Sequence, residues 1–261
     1  MKSISFDRLV DVVAMLRSEN GCPWDLAQTH ESLKTDLIEE AYELIEAIDA
    51  NVPDKICDEL GDLLMQVMLH SQIATDQNDF SVDDVIGNLT EKLIRRHPHV
   101  FGEAVAKDES EVLKNWEEIK RSEDGNKDRK SSLDGIPNSL PSLQRAEKIQ
   151  KKASRVGFDW NQTEDVLPKL QEEIVEIEES IRNNEITEIE MEIGDLLFSV
   201  VNLCRFLNVQ PEEALRKSNR KFVDRFQRME TKLERTSKTF KDYDLSGLDQ
   251  IWEQVKQQEK A

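Results

Sequence analysis

Cysteine, glycine and proline are scarce in this sequence, and long apolar runs are missing. The three cysteines, Cys22, Cys57 and Cys204, are odd in number and far apart, so we expect reduced packing residues in a cytoplasmic protein rather than a disulfide framework. The 9 glycines and 7 prolines leave long segments without the alternation of a strand. No segment reaches the roughly 18 apolar residues of a membrane helix, and we expect no signal peptide and no membrane span.

Positive charge is also in short supply. The 261 residues include 35 Lys and Arg against 54 Asp and Glu, which gives a net charge of −19. A nucleic-acid or anionic-membrane surface calls for a basic face, so we expect neither kind of partner. A chain of this length suffices for two small domains.

Carboxylates spaced three residues apart are the most informative feature that is present. Glu173 and Glu176 share one face of a predicted helix, because residues three apart are neighbours on a helix surface. Glu192 and Asp195 do the same on the next helix. Apolar residues recur around both pairs at steps of three and four: Leu170, Ile174, Ile177 and Ile181, then Ile189, Ile193, Leu196, Val200, Leu203 and Leu207. We predict that the helices pack antiparallel through these apolar stripes and bring four carboxylates to one point.

Four converging carboxylates either share protons or bind a cation. A set of oxygen ligands suits Mg²⁺, Mn²⁺ or Ca²⁺ better than softer metals. Asp195 opens the apolar run at 196–201, so we expect this aspartate to be partly buried and to need a partner. A single Glu-x-x-Glu pair is more often a solvated surface, so the metal interpretation depends on repetition.

The pattern does repeat, at the offset of 133 residues that separates Glu40 from Glu173. At this offset the four acids become Glu40, Glu43, Glu59 and Asp62, and Gly-Asp-Leu-Leu occurs at 61–64 and again at 194–197. Matches at one offset without a gap indicate an internal duplication. We therefore predict an all-α protein with two tandem copies of a helical bundle, at residues 1–120 and 142–261. A polar linker broken by Gly and Pro, residues 121–141, joins them.

A basic face is unexpected in so acidic a chain. It lies on the predicted helix that begins at Pro211, and its residues are Lys217, Lys221, Arg225 and Arg228. Two interpretations stay open: ion pairs with acids of the same helix, or a phosphate-binding face opposite the carboxylates. A metal together with Lys and Arg is the usual means of holding a polyphosphate.

Together these residues resemble a MazG-type nucleoside triphosphate pyrophosphohydrolase of the two-domain bacterial kind. The resemblance rests mainly on Glu-Glu-x-x-Glu followed by Glu-x-x-Asp, and it spans nearly the whole chain. It implies an all-α bundle, usually a homodimer, with Mg²⁺-dependent hydrolysis of nucleoside triphosphates to monophosphate and pyrophosphate. Broad base tolerance and a role in nucleotide-pool housecleaning or stress response are also implied.

The resemblance assigns roles to particular residues. The implied catalytic and metal-binding residues are Glu172, Glu173, Glu176, Glu192 and Asp195, with Glu172 as a ligand or as a base that orients water. The implied substrate-binding residues are Lys169, Asn219, Lys221, Arg225 and Trp252, the last stacking on the base. A second metal site would consist of Glu39, Glu40, Glu43, Glu59 and Asp62.

The first copy keeps the acids but loses cations meant for phosphate. Lys169 falls opposite Asp36 at the common offset. When the third helices are aligned by their Lys and Arg residues, Arg220 falls opposite Glu91 and Asn219 opposite Thr90. Each reversal replaces an attraction for phosphate by a repulsion, so we expect the C-terminal copy to carry most of the catalysis.

Two other classes of protein remain open at this point. A non-enzymatic acidic helical adaptor would regulate a partner, but it does not require Asp195 within an apolar run. A di-iron or di-manganese carboxylate bundle would use Glu-x-x-His pairs, and none of the four histidines lies three residues after a glutamate.

Overall fold

The computed structural model describes residues 6–123 and 131–259, which form helices and turns without a strand. This confirms the predicted all-α class. The chain divides into two compact units, Met1–Lys127 and Asp128–Ala261. The predicted linker, 121–141, begins inside a helix that continues to Ser122. Residues 124–130 lie outside the described residues, and 131–141 forms turns.

Seven helices are described in the first unit. They are α1 (Phe6–Leu16), α2 (Pro23–Ala27), α3 (Lys34–Ala50), α4 (Pro53–Asp76), α5 (Val82–Arg96), α6 (Pro98–Phe101) and α7 (Glu109–Ser122). Helices α3 and α4 form a hairpin whose turn places Asn51 at φ 53°, a left-handed conformation that Asn tolerates. A core cluster that includes Val13, Leu33 and Leu69 packs α1 and the start of α3 against α4.

The second unit repeats the hairpin. Its described helices are α8 (Ser142–Ser154), α9 (Val166–Asn183), α10 (Ile186–Phe206), α11 (Pro211–Arg235) and α12 (Leu245–Gln258). The turn between α9 and α10 places Asn184 at φ 57°, as Asn51 is placed in the first unit. A cluster that includes Met229, Leu233 and Val255 holds α12 against α11.

The start of α5 follows from a local sequence motif. The Ser81 side chain accepts a hydrogen bond from the Asp84 backbone N–H, and the Ser81 N–H donates to Asp84 Oδ2 at 2.8 Å. This capping box satisfies backbone donors that the first turn of a helix leaves unpaired. None of the described helices is long and apolar enough to span a membrane.

The prediction that α9 and α10 pack through their apolar stripes is wrong for part of the stripe. Glu173 and Ser180 are the buried residues of α9 in this region, whereas Ile174 and Ile181 are exposed. On α10, Ile193 is likewise 45% exposed. Successive helical residues point about 100° apart, so turning Glu173 towards α10 turns Ile174 outwards.

Candidate active site

Three carboxylates meet between α9 and α10. One oxygen each from Glu173, Glu192 and Asp195 lie within 4.8 Å of one another. Asp195 is exposed, so the expectation that it is partly buried is wrong. The apolar residues that follow it, such as Leu197 and Phe198, are themselves exposed and do not cover it. The buried charge of the group is Glu173, which is 2% exposed.

Lys169 neutralises this buried charge. Its Nζ lies 2.9 Å from Glu173 Oε1 and 2.9 Å from Glu172 Oε1, one turn along α9. The hydrogen bonds to Glu173 and Glu172 raise the pKa of Lys169 and keep it protonated. Although predicted to bind phosphate, Lys169 therefore lies among the acids of α9.

Glu176 lies at the edge of the three-carboxylate group. Its pKa is raised, chiefly by burial and also by repulsion from Glu173 and Glu192, although Lys169 opposes the rise. Glu172 is exposed and accepts a hydrogen bond from the shared lysine. A cation would relieve this repulsion, and the hard oxygen donors fit Mg²⁺ or Mn²⁺.

The first unit holds a similar group of three close carboxylates, but one of the three comes from a different position of the repeat. One oxygen each from Glu40, Glu43 and Glu59 lie within 4.8 Å of one another, and Asp62 falls outside this set. Burial, followed by repulsion from Asp62, raises the pKa of Glu40. Burial and the neighbouring Glu43 raise the pKa of Glu59. At the position of Lys169 this copy has Asp36, which cannot neutralise the carboxylates.

The basic face of α11 agrees in part with the interpretation of ion pairs within the same helix. Arg216 and Lys217 pair with Glu213 of the same helix, at 2.5 and 3.2 Å. Arg225 instead reaches α12, where its Nη2 donates to Glu259 Oε2 at 2.8 Å. Intrahelical pairing therefore accounts for only one end of the basic face.

The predicted substrate-binding residues fall into two groups. Arg225 lies over the Trp252 ring, with 5.7 Å from the guanidinium carbon to the ring centroid. Asn219 and Lys221 are exposed on the same helix as Arg225. Lys169 forms the other group, with the acids of α9.

Glu259 was missed by reasoning from the sequence. Its carboxylate accepts hydrogen bonds from Arg225, which lower its pKa. The first unit has the same arrangement, in which Glu123 accepts from Arg96 at 2.5 Å. In each copy the glutamate follows a tryptophan of the last helix, which we call the closing helix, by seven residues. Glu259 follows Trp252 of α12, and Glu123 follows Trp116 of α7. Comparing the two closing helices at this spacing would have revealed it.

In each copy a glycine precedes the aspartate of the acid group, and the space beside this glycine is open. A Cβ on Gly61 or Gly194 would meet nothing within 4 Å, so no neighbouring atom requires a glycine at either position. A cavity of about 410 Å³ lies between α8 and α10, and its lining includes Gly194, Leu197 and Arg145. This volume is in the range of small-molecule sites.

Comparison with known proteins gives consistent matches over both acid groups. Residues 28–101 and 161–229 match the MazG nucleotide pyrophosphohydrolase domain. The chain is 51% identical over 254 residues to a Thermotoga maritima protein named nucleoside triphosphate pyrophosphohydrolase/pyrophosphatase MazG, covering 97% of this chain and 96% of that protein. It is 43% identical over 256 residues to the nucleoside triphosphate pyrophosphohydrolase of Escherichia coli K12, covering 97% of each. An uncharacterised Bacillus subtilis protein, YabN, is 44% identical over 260 residues, which are 98% of this chain and 52% of that protein.

Proposed function

Because the chain belongs to the MazG nucleotide pyrophosphohydrolase family, we propose that it hydrolyses nucleoside triphosphates to nucleoside monophosphate and pyrophosphate. The observation that carries this proposal is the meeting of the Glu173, Glu192 and Asp195 carboxylates within 4.8 Å. The printed names of the relatives from Thermotoga maritima and Escherichia coli support the same reaction class. Broad base tolerance and a housecleaning role in the cytoplasm are part of the proposal.

The acids of α9 and α10 would hold the metal. Glu173, Glu176, Glu192 and Asp195 supply the oxygen ligands for Mg²⁺, with Mn²⁺ as a substitute, and Glu172 lies at the edge as a further ligand or as a base that orients water. When bound, the ion supplies Lewis-acid chemistry and lowers the pKa of a water. The raised pKa of Glu176 supports this assignment, because a cation offsets crowding of like charges.

The cationic residues would bind the phosphates. Lys169 is paired with Glu172 and Glu173, and an ion that neutralised these acids would leave its ammonium group for a phosphate oxygen. Lys221 presents an exposed charge on α11, and Arg225 is already ordered against Trp252. The half-buried Trp252 ring would stack on the base through the part that remains accessible, a contact that tolerates different bases.

Product analysis tests the reaction. The purified chain is incubated with ATP, GTP, CTP and UTP in the presence of Mg²⁺, with EDTA as the control. We expect monophosphate and pyrophosphate with Mg²⁺ and no turnover with EDTA. Diphosphate and inorganic phosphate would contradict the bond assignment. A folded chain that binds no nucleotide would favour the acidic adaptor.

We also propose that the chain is a homodimer. Ile193 and Leu197 on α10 are 45% and 51% exposed, and Ile174 on α9 is exposed beside them. Contiguous apolar surface of this kind usually marks an interface. Size-exclusion chromatography with light scattering should give twice the chain mass of 30.2 kDa, and Leu197→Glu should lower that mass. A wild-type monomer at micromolar concentration would contradict the proposal.

A further inference from the structure

Each copy ends in the same three-residue arrangement, which we call the Arg–Trp–Glu unit. In the second copy it comprises Arg225 of α11 with Trp252 and Glu259 at the closing helix. In the first copy it comprises Arg96 of α5 with Trp116 and Glu123 at α7. The duplication thus supplies two independent examples of one geometry.

The contacts within the unit fix the arginine from two directions. Arg225 Nε lies 3.2 and 3.1 Å from the two Glu259 carboxylate oxygens, and Nη2 lies 2.8 Å from Oε2. The Trp252 ring lies under the guanidinium plane. Phe222 also packs against this ring, with 5.2 Å between the two ring centroids. A carboxylate that meets one edge of a guanidinium restricts its rotation, and an aromatic face restricts its plane.

The same contacts leave one side of the guanidinium unused. They engage Nε and Nη2 but not Nη1, which has two further N–H groups. The Arg225 side chain is only 17% exposed, so its conformation is set before a ligand arrives. An ordered donor binds phosphate better than a flexible one, because less side-chain freedom is lost on binding.

We infer that Glu259 is a positioning residue for the triphosphate: it holds Arg225 across Trp252 so that the remaining N–H groups meet a phosphate oxygen. This inference rests on the proposed function, in which Arg225 and Trp252 bind substrate. The first copy has Thr90 and Glu91 where the second has Asn219 and Arg220. We therefore expect the Arg–Trp–Glu unit of the first copy to dock α7 on α5 without binding phosphate.

The test compares Glu259→Gln with the matched control Glu123→Gln in the full chain. KM and kcat are measured with ATP and Mg²⁺, and the Kd of a non-hydrolysable ATP analogue is measured by calorimetry. We expect Glu259→Gln to raise KM and Kd about tenfold, the effect of losing a hydrogen bond to a charged group. We expect kcat to change less than about twofold, because the residue acts on binding. Glu123→Gln should leave KM and Kd unchanged, and Glu259→Asp should recover part of the lost affinity.

Thermal unfolding separates positioning from simple docking. Both Gln variants should lower Tm, because each loses hydrogen bonds between two helices: Glu123 accepts from Arg95 and Arg96 of α5, and Glu259 accepts from Arg225 of α11. Equal losses of Tm with unchanged KM and Kd for Glu259→Gln would overturn the inference, and a lower KM would overturn it by showing that Glu259 competes with phosphate. Wild-type protein that binds the analogue but releases no pyrophosphate from ATP would refute the proposed reaction, whereas the Kd values would still decide the role of Glu259.

Discussion

Lys169, the partner of the buried Glu173, stands where the first copy has Asp36, so an acid replaces the lysine beside the first group of carboxylates. In the second copy the lysine gives Glu173 a cation at 2.9 Å. In the first copy the carboxylates repel one another, and the raised pKa values of Glu40 and Glu59 reflect this repulsion together with burial. A buried charge without a partner is costly, so the two sites should differ in how strongly they depend on metal.

Lys169→Met should lower the free energy of unfolding by about 2 kcal/mol in EDTA, because Glu173 loses a charged hydrogen bond. Urea unfolding followed by circular dichroism measures this change. Mg²⁺ should reduce the difference in the free energy of unfolding between Lys169→Met and wild type, because the ion replaces the missing ammonium group. Lys34→Met is the matched control, because the exposed Lys34–Glu31 pair is worth less than about 1 kcal/mol. Equal effects of the two substitutions would refute the role given to Lys169.

The raised pKa of Glu176 predicts a pH effect on metal-free protein. A carboxylate whose pKa is higher in the folded state stabilises the fold when protonated, so this stabilisation is lost as pH rises through the folded pKa. Glu176→Gln should therefore have a higher Tm than wild type at pH 7 in EDTA. The difference should vanish well below the ordinary pKa of 4.5, where the wild-type side chain is also neutral. A lower Tm for the variant at pH 7 would contradict the assigned repulsion.

At the scale of elements, helix boundaries follow local chemistry, whereas helix rotation does not. Ser81 and Asp84 cap α5 through contacts three residues apart, and Pro211 opens α11 because proline suits the first turn. The face that α9 turns towards α10 depends on contacts between the helices. Those contacts bury Glu173 and leave Ile174 exposed, contrary to the stripe-to-stripe packing expected from periodicity.

Ser81→Ala should lower the stability of the first unit by about 1 kcal/mol, the usual cost of losing an N-cap hydroxyl. Urea unfolding monitored by circular dichroism would detect the change in the transition of that unit. Ser218→Ala, at an exposed position inside α11, is the control and should cause no loss, because alanine favours a helix interior. If both variants unfold like wild type, the capping box contributes little.

At the scale of the whole molecule, two copies of one bundle carry unequal sites. Both keep a group of three close carboxylates, but one group includes Asp195 and the other includes Glu43 rather than Asp62. Only the second copy has Lys169 with Asn219 and Arg220. The charges meant for phosphate are therefore concentrated in the C-terminal copy.

Comparing Glu176→Gln with Glu43→Gln tests this inequality, because the two residues occupy equivalent positions. With saturating ATP and Mg²⁺, pyrophosphate release should fall to background for Glu176→Gln and stay near wild type for Glu43→Gln. Retained helicity by circular dichroism is required of both variants. Loss of pyrophosphate release in the Glu43 variant alone would make the N-terminal copy the catalytic one. Loss of half the activity in each variant would mean two working sites.

The sequence by itself determined the all-α class, the duplication and the carboxylate spacing, because helical periodicity and repeats are local properties that can be read along the chain. Tertiary structure decided which carboxylates meet, why Glu173 rather than Asp195 is the buried charge, and that Glu259 pairs with an arginine 34 residues earlier. These features depend on how each helix is rotated against its neighbour. A rotation of about 100° exchanges adjacent residues between the buried and exposed faces, and the spacing of residues along one helix does not fix that angle.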